Sequence, residues 1–404
     1  MALENRPTQE IIELLLHTLE RLPEPLREKA REEVMKVKEL LLDTRPPRIM
    51  IIGRRGAGKS SLINAIFDEK VAVTGAVLSE TGAAEWHTFS GKKGSMRILD
   101  TRGIGDLSRP DGAEDGDALD ALKREVAREC PDALLFCCKA KEVDAQIAHD
   151  LEVVSRLAAF TMKKHNYRLP VVAVVTQVDE LDPKRIKPPY ADDEKQAHIS
   201  TAVEALERAL LVSEVPSMRV IPTSAYAEYR DGQRVDDDYW NIETLVEYLT
   251  EMLPTSAQCQ MARLGAVKKV QGKLARVVVG STAAICGAIA ATPIPVADLI
   301  PITSAQIAMI IGIGYIAGRE LSKENALEFL GALGANVGAG FLLREAARAL
   351  IKYVFPAAGE VVSSGVAIAG TWAIGEAAIR YFIEGLPIEE VKQRFLKKRE
   401  CAGS

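Results

Sequence analysis

The residues best equipped for chemistry are Gly53-Arg54-Arg55-Gly56-Ala57-Gly58-Lys59-Ser60, a complete G-x-x-x-x-G-K-[ST] pattern. The apolar run RIMII leads into it and SLINAIF leads out, so a strand and a helix are expected to hold the loop between them. Glycines let backbone N–H groups wrap around a β-phosphate, and the start of the helix adds partial positive charge. Lys59 is placed to bridge the β- and γ-phosphates, and Ser60 to ligate Mg²⁺. Gly53, Arg54, Gly56, Ala57, Gly58 and Ser61 complete the expected phosphate cradle.

Four further pieces follow in the order a guanine-nucleotide site requires. Asp100-Thr101-Arg102-Gly103 ends the run SMRIL, where an aspartate can hold Mg²⁺ through water and a glycine N–H can reach the γ-phosphate. Between the loop and that aspartate, VTGAVLSETGAAEWHTF must carry the threonine that closes over the metal. Thr81 is the first candidate, as a metal ligand and catalytic-site residue, and Thr74 is the second. Thr176-Gln177-Val178-Asp179 follows PVVAVV, and a carboxylate there can accept from the N1–H and N2–H₂ donors of guanine. Thr223-Ser224-Ala225 follows MRVI, where a backbone N–H can meet the guanine O6.

These groups need a scaffold, and the chain of 404 residues is long enough for two or three domains. Hydrophobic residues at 48% and charged residues at 26% exclude wholesale disorder, a fibrous repeat and a polytopic permease. The net charge of −5, without a basic aromatic patch, argues against nucleic acid as a partner. Six cysteines and five histidines show no metal-ligand spacing, and the cysteines read as reduced thiols of a cytoplasmic protein. The N-terminus MALENRPTQE has no basic region followed by an apolar stretch, so no secretory signal is expected.

Three textures divide the chain. Residues 1–45 read as helices, broken around Pro23 and Pro25. Residues 46–254 alternate short apolar runs (48–52, 95–99, 133–138, 170–175, 218–221) with polar helical stretches. That alternation is the pattern of an α/β unit, a mostly parallel sheet with helices on both faces. Within it, GDLSRPDGAEDGD (105–117) reads as a mobile surface loop. Residues 255–404 read as a Gly/Ala-rich all-α domain, completed by the N-terminal helices.

The ordered set GRRGAGKSSLINAIF, DTRG, TQVD and TSA resembles the septin–Era–TrmE group of translation-factor-type GTPases over about 200 residues. The resemblance implies GTP and GDP binding with Mg²⁺ and slow hydrolysis to GDP and phosphate. One departure is Gln177, which stands where that group usually carries a lysine whose stem covers the base and whose ammonium contacts the sugar side. Weaker affinity with retained guanine preference is expected. The aliphatic Ile104 after DTRG cannot orient a water, and Gly56 stands where K⁺-dependent members carry asparagine. Arg54 and Arg55 remain as cations for the transition state, with Arg55 favoured as the catalytic one. The bland alternative is that both point to solvent or pair with the acidic loop.

Residues 277–318 contain one charged residue, Asp298. The stretches 277–291 and 302–318 would each span about 22–26 Å, short of the ~30 Å hydrocarbon core. Basic flanks (Lys268, Lys269, Lys273, Arg276; Arg319, Lys323) and the spacings Gly314-x-x-x-Gly318 and Gly334-x-x-x-Gly338 fit a hairpin dipping into a bilayer. A soluble bundle built from small residues fits equally. The stretch at 293–301 resembles YcjF-type proteins and Era-like GTPases fused to such a domain, and the wider plan resembles immunity-related and dynamin-like GTPases. That resemblance implies self-association as a homodimer or higher oligomer in the GTP state, and contact with membrane lipid from the cytoplasmic side. The competing expectation is a slow switch or scaffold that recruits a protein partner through the same helices.

Overall fold

The computed structural model describes residues 6–20, 22–72, 84–100, 115–143, 147–213, 215, 217–231, 233–291, 300–320, 322–334 and 364–402. It divides into two compact units, Pro46–Gly265 and a second formed by Met1–Arg45 with Ala266–Ser404.

The first unit is built on a six-stranded sheet of order β2-β3-β1-β4-β5-β6. β1 (Arg48–Ile52), β3 (Gly94–Asp100), β4 (Ala133–Lys139), β5 (Val171–Thr176) and β6 (Ser217–Pro222) run parallel, and β2 (Glu85–Gly91) pairs antiparallel to β3 at one edge. The central strands read as continuous apolar runs because both faces are covered. Met50 and Ile52 join Phe136 and Val175 in one core with α4 (Asp115–Arg128), α5 (Ile147–His165) and α6 (Asp193–Val212). The alternate residues Ile49 and Ile51 are equally buried, and by the pleat they face α3 (Lys59–Phe67), α7 (Ile242–Met252) and α8 (Thr255–Gly265). Strand order reverses at β1, with β3 on one side and β4 on the other. That switch point opens a crevice at the carboxyl ends of the strands.

Three elements depart from the sequence reading. The hairpin of β7 (Ala227–Arg230) and β8 (Gln233–Asp237) has no counterpart in the sequence reading, because its strands are polar and largely exposed. Helix α4 already includes Asp115–Asp117, so the expected loop is shorter at that end; residues 105–114 lie outside the described residues. Helix α8 belongs with the sheet, so the unit ends at Gly265 rather than at 254. Gln260 on α8 reaches Gly94 on β3, and Gly265 sits against Val246 of α7.

The second unit is helical. α9 (Lys268–Ala290) is its centre, with α2 (Glu24–Leu41), α10 (Ile300–Ile316) and α12 (Ser364–Ile379) packed around it. α1 (Arg6–Leu19) packs on α10, and α11 (Lys323–Gly334) on α13 (Ile388–Ala402). Small residues let these helices approach closely. A Cβ on Gly375 of α12 would stand 2.4 Å from Val279 of α9, and one on Gly312 of α10 would stand 2.4 Å from Leu41 of α2. Buried hydroxyls fix the register: Gln306 Nε2 donates to Thr371 Oγ1 at 3.1 Å, and Ser281 Oγ donates to Glu33. Burial alone would raise the Glu33 pKa, but hydrogen bonds from Lys36 and Ser281 bring it below the usual value.

α9, at 23 residues, starts nine positions before the expected stretch, and α9 and Ser364–Glu384 are long and apolar enough to cross a membrane by length and composition. In this bundle 72% of the apolar window of α9 is buried, so its apolar surface is spent on other helices. Gly318 does not serve as a helix-contact glycine: with φ +81° and nothing within 4 Å of an added Cβ, it ends α10 as a left-handed cap. Gly338 and Asp298 lie outside the described residues.

Candidate nucleotide site

Four strand ends build the site. β1 delivers the loop Gly53–Gly58 into α3. Gly53 passes so close to β4 that a Cβ there would stand 2.4 Å from the Cys137 carbonyl. Gly58 precedes α3 in a left-handed conformation (φ 75°), and no side chain caps the helix. The first-turn N–H groups of Lys59, Ser60 and Ser61 therefore have no side-chain partner at the cap and face the loop, the geometry that accepts an anion. Lys59 Nζ donates to the Gly53 and Arg54 carbonyls at 2.6 and 3.1 Å, which folds it back across the loop.

The end of β5 is fastened to this loop. Thr176, fully buried, donates from Oγ1 to the Ala57 carbonyl at 3.0 Å. Gln177, in a left-handed conformation (φ 59°), donates from Nε2 to the Gly56 carbonyl at 2.6 Å. Asp179 follows on a short 3₁₀ turn (Val178–Glu180), and Ser224 Oγ donates to its Oδ1 at 2.9 Å. Ser224 is itself held by a pair of backbone hydrogen bonds with Trp240, 3.2 and 3.0 Å, that close the base of the β7–β8 hairpin. Ala225 follows it, partly exposed.

Two positioning residues went unnoticed in the sequence. Buried Lys195, in the first turn of α6, donates from Nζ to the carbonyls of Asp179 (3.0 Å) and Leu181 and so holds the turn carrying Asp179. Burial lowers its pKa, while the nearby Asp179 and Asp182 carboxylates oppose that shift. Trp240 packs edge-on against buried Tyr190 at 5.3 Å between ring centres. Neither belongs to a short motif; only the tertiary fold brings them to the site.

Residues 48–177 match the family described as 50S ribosome-binding GTPase, and residues 260–399 match a domain of unknown function, DUF697. The nucleotide unit is a P-loop GTPase domain. GTPase Der of Persephonella marina is 32% identical over 142 residues, 34% of this chain and 28% of its own length. Translocase of chloroplast 90 of Arabidopsis thaliana is 32% identical over 99 residues, 24% of this chain and 12% of its own. The chain thus spans less than a third of the length of these curated relatives. Among solved structures, Era in complex with MgGDPNP and a 16S ribosomal RNA fragment aligns at TM-score 0.33 and 18% identity, covering 52% of this chain and 58% of that one.

Within the GTPase domain, the two loop arginines differ. Arg54 Nε donates to Asp150 Oδ2 of α5 at 2.9 Å, and this carboxylate is nearly buried. Arg54 is thereby engaged by a helix of its own domain and is only partly exposed. Arg55 is exposed. Asp100 ends β3 in register with Ile51 of β1, one strand over from the loop. Thr74, Thr81, Gly103 and Ile104 lie outside the described residues. Trp86 and His87 lie on β2, where Trp86 packs on the core beneath the Arg97 guanidinium, 5.5 Å from the ring centre.

Proposed function

We propose that this chain is a GTP-hydrolysing switch whose nucleotide state governs self-association and engagement of a membrane by the helical unit. The observation that carries guanine recognition is Asp179, its carboxylate oriented by Ser224 and its turn held by Lys195, at the end of the strand that also fastens the phosphate loop. A carboxylate there accepts from two adjacent guanine donors, a pattern adenine lacks. Gly53, Arg54, Gly56, Ala57, Gly58, Lys59, Ser60 and Ser61 would cradle the phosphates. Ser60 and Thr81, with Asp100 through water, would hold the substrate's Mg²⁺. These are hard oxygen donors suited to that ion, and the ion neutralises charge on the β- and γ-phosphates.

Arg55 is the cation left exposed on the loop, and catalysis by it would act on the γ-phosphate of its own or a facing subunit. Ordering of the segments around Thr81 and Gly103 by the γ-phosphate is the step that would couple nucleotide to partner. The plan of a GTPase domain between N- and C-terminal helices supports the likeness to immunity-related and dynamin-like GTPases as an analogy of organisation. A cytoplasmic protein, peripheral at a membrane, fits this reading.

A second reading has its own support: the apolar window of α9 is mostly covered by neighbouring helices. That favours a slow GTP-dependent scaffold recruiting a protein partner. GTP hydrolysis by full-length protein, measured against protein concentration with and without liposomes, separates the two. Specific activity that climbs with concentration or lipid supports the self-associating membrane switch; a flat, near-zero rate with retained GTP binding supports the scaffold.

A further inference from the structure

The loop that would hold the phosphates meets two side chains from neighbouring strand ends. Gln177 follows β5 and donates to Gly56 O; a Cβ built on Gly58 would lie 3.4 Å from its amide nitrogen. Lys139 is the last residue of β4, and its backbone pairs directly with Thr176, one residue before Gln177. Its ammonium reaches the same turn: a Cβ built on Gly56 would lie 3.3 Å from Lys139 Nζ and 3.4 Å from its Cε. Glutamine brings a hydrogen bond without charge, and lysine brings charge. Two adjacent strands therefore divide between them what one cationic side chain could do at this loop.

The charges around the loop are already committed in different ways. Arg54 is engaged by the nearly buried Asp150, while Lys59 folds onto the carbonyls of Gly53 and Arg54. Lys139 is held at 2.7 Å by Glu142, whose side chain is 41% exposed, three residues along its own chain. A partly solvated i, i+3 pair of this kind is worth little net and can be exchanged for a stronger counter-ion. A polyphosphate carrying three or four negative charges is a far stronger counter-ion for the ammonium than one solvated carboxylate.

Resting on the nucleotide reading above, we propose that Lys139 is an affinity determinant for the phosphate end of a guanine nucleotide, supplying from β4 a positive charge beside Gly56 of the loop, where Gln177 brings only a hydrogen bond. Glu142 is its competitor: it holds the ammonium when no nucleotide is present and loses it on binding. The ligand chemistry is a nucleoside di- or triphosphate, recognised here through charge rather than through the base.

The test is calorimetric titration of the full-length protein with GDP, at two salt concentrations, for the wild type, Lys139→Gln, Glu142→Gln and the pair Lys139→Gln with Gln177→Lys. Lys139→Gln is expected to weaken GDP binding about fivefold and to flatten its salt dependence, since one partly screened charge at close range is removed. Glu142→Gln is expected to tighten binding about twofold by freeing the ammonium. Restoring a charge in the double variant through Gln177→Lys should recover most of the loss. A purely structural ion pair predicts something else: both single variants would lower the thermal midpoint alike and leave GDP affinity unchanged, and that result overturns the proposal. Wild-type protein that binds no GDP at all would instead overturn the nucleotide reading itself, an outcome visible before any variant is made.

Discussion

The Gln177 side-chain amide donates to the Gly56 carbonyl at 2.6 Å, joining two positions 121 residues apart in the chain. Together with the Thr176 hydroxyl on Ala57, it fastens the phosphate loop to the strand end that carries Asp179. Replacing Gln177 by Ala should leave the fold intact, because the residue is only partly covered, and weaken guanine-nucleotide binding by about fivefold, the equivalent of one net hydrogen bond of ~1 kcal/mol. Comparing nucleotide Kd with thermal stability checks this; an unchanged Kd would show that the loop is held without Gln177.

Base selection should reside in Asp179 and its orienting hydroxyl. Asp179→Asn turns one acceptor oxygen into a donor, which suits the extra carbonyl of xanthine better than the amino group of guanine. A shift of preference from GTP towards XTP is therefore expected. Ser224→Ala leaves the Asp179 side chain in place but less constrained, so GTP affinity should fall about tenfold with the guanine preference kept. Competition titrations with GTP, XTP and ATP distinguish these outcomes, and an Asp179→Asn protein that still prefers GTP contradicts the assignment.

The two loop arginines should separate stability from turnover. Arg54→Ala removes the guanidinium from Asp150, whose side chain is 8% exposed, and should cost about 1–2 kcal/mol after allowing for the partial exposure of the arginine. Arg55→Ala touches an exposed side chain and should leave the unfolding midpoint in place. If Arg55 acts on the transition state, its loss lowers kcat by a factor on the order of 10³. Wild-type hydrolysis by Arg55→Ala at high protein concentration rejects that role.

Thiol labelling offers a check on the packing of both units. Burial pushes Cys137, Cys138, Cys259 and Cys286 up to about 12, so at pH 7–8 they remain neutral and enclosed. Cys130 is partly exposed and should be alkylated before Cys137, Cys138, Cys259 and Cys286, as mass mapping of briefly treated native protein would show. Labelling of Cys137 as fast as Cys130 would mean that β4 is accessible beside the loop.

Some of this arrangement was readable from local pattern and some was not. The strand–loop–helix from Arg48 to Phe67 is written in consecutive residues, as are the apolar runs of β4 and β5 and the small-residue texture of α9 and α10. The β7–β8 hairpin is largely polar on both faces, so periodicity is silent on it. The hairpin nonetheless anchors Ser224 through Trp240. The Arg54–Asp150 pair spans 96 positions and the Lys195 contact to Asp179 spans 16. Partners of that kind exist only once the sheet has formed. Gln177 looked like a loss in the sequence, and in the fold it is a hydrogen-bond donor to the loop.

The helical unit makes a prediction through space rather than charge. On Gly312 an added Cβ would stand 2.4 Å from Leu41 Cδ1, and on Gly375 2.4 Å from a Val279 methyl. Real Cβ atoms do not approach so closely, so alanine at either glycine forces something to shift, the Leu41 side chain facing Gly312 or α12 against Val279 of α9. Overpacking of this kind costs about 1–3 kcal/mol. The obstruction at Gly375 is a β-branched side chain with one preferred rotamer, whereas the leucine facing Gly312 can turn aside. Gly375→Ala should therefore be the more damaging of the two. Thermal unfolding of the full-length variants measures the order, and GDP titration at 20 °C reports on the nucleotide site independently. Equal tolerance of alanine at both glycines would show that the helices do not pack at this distance in solution.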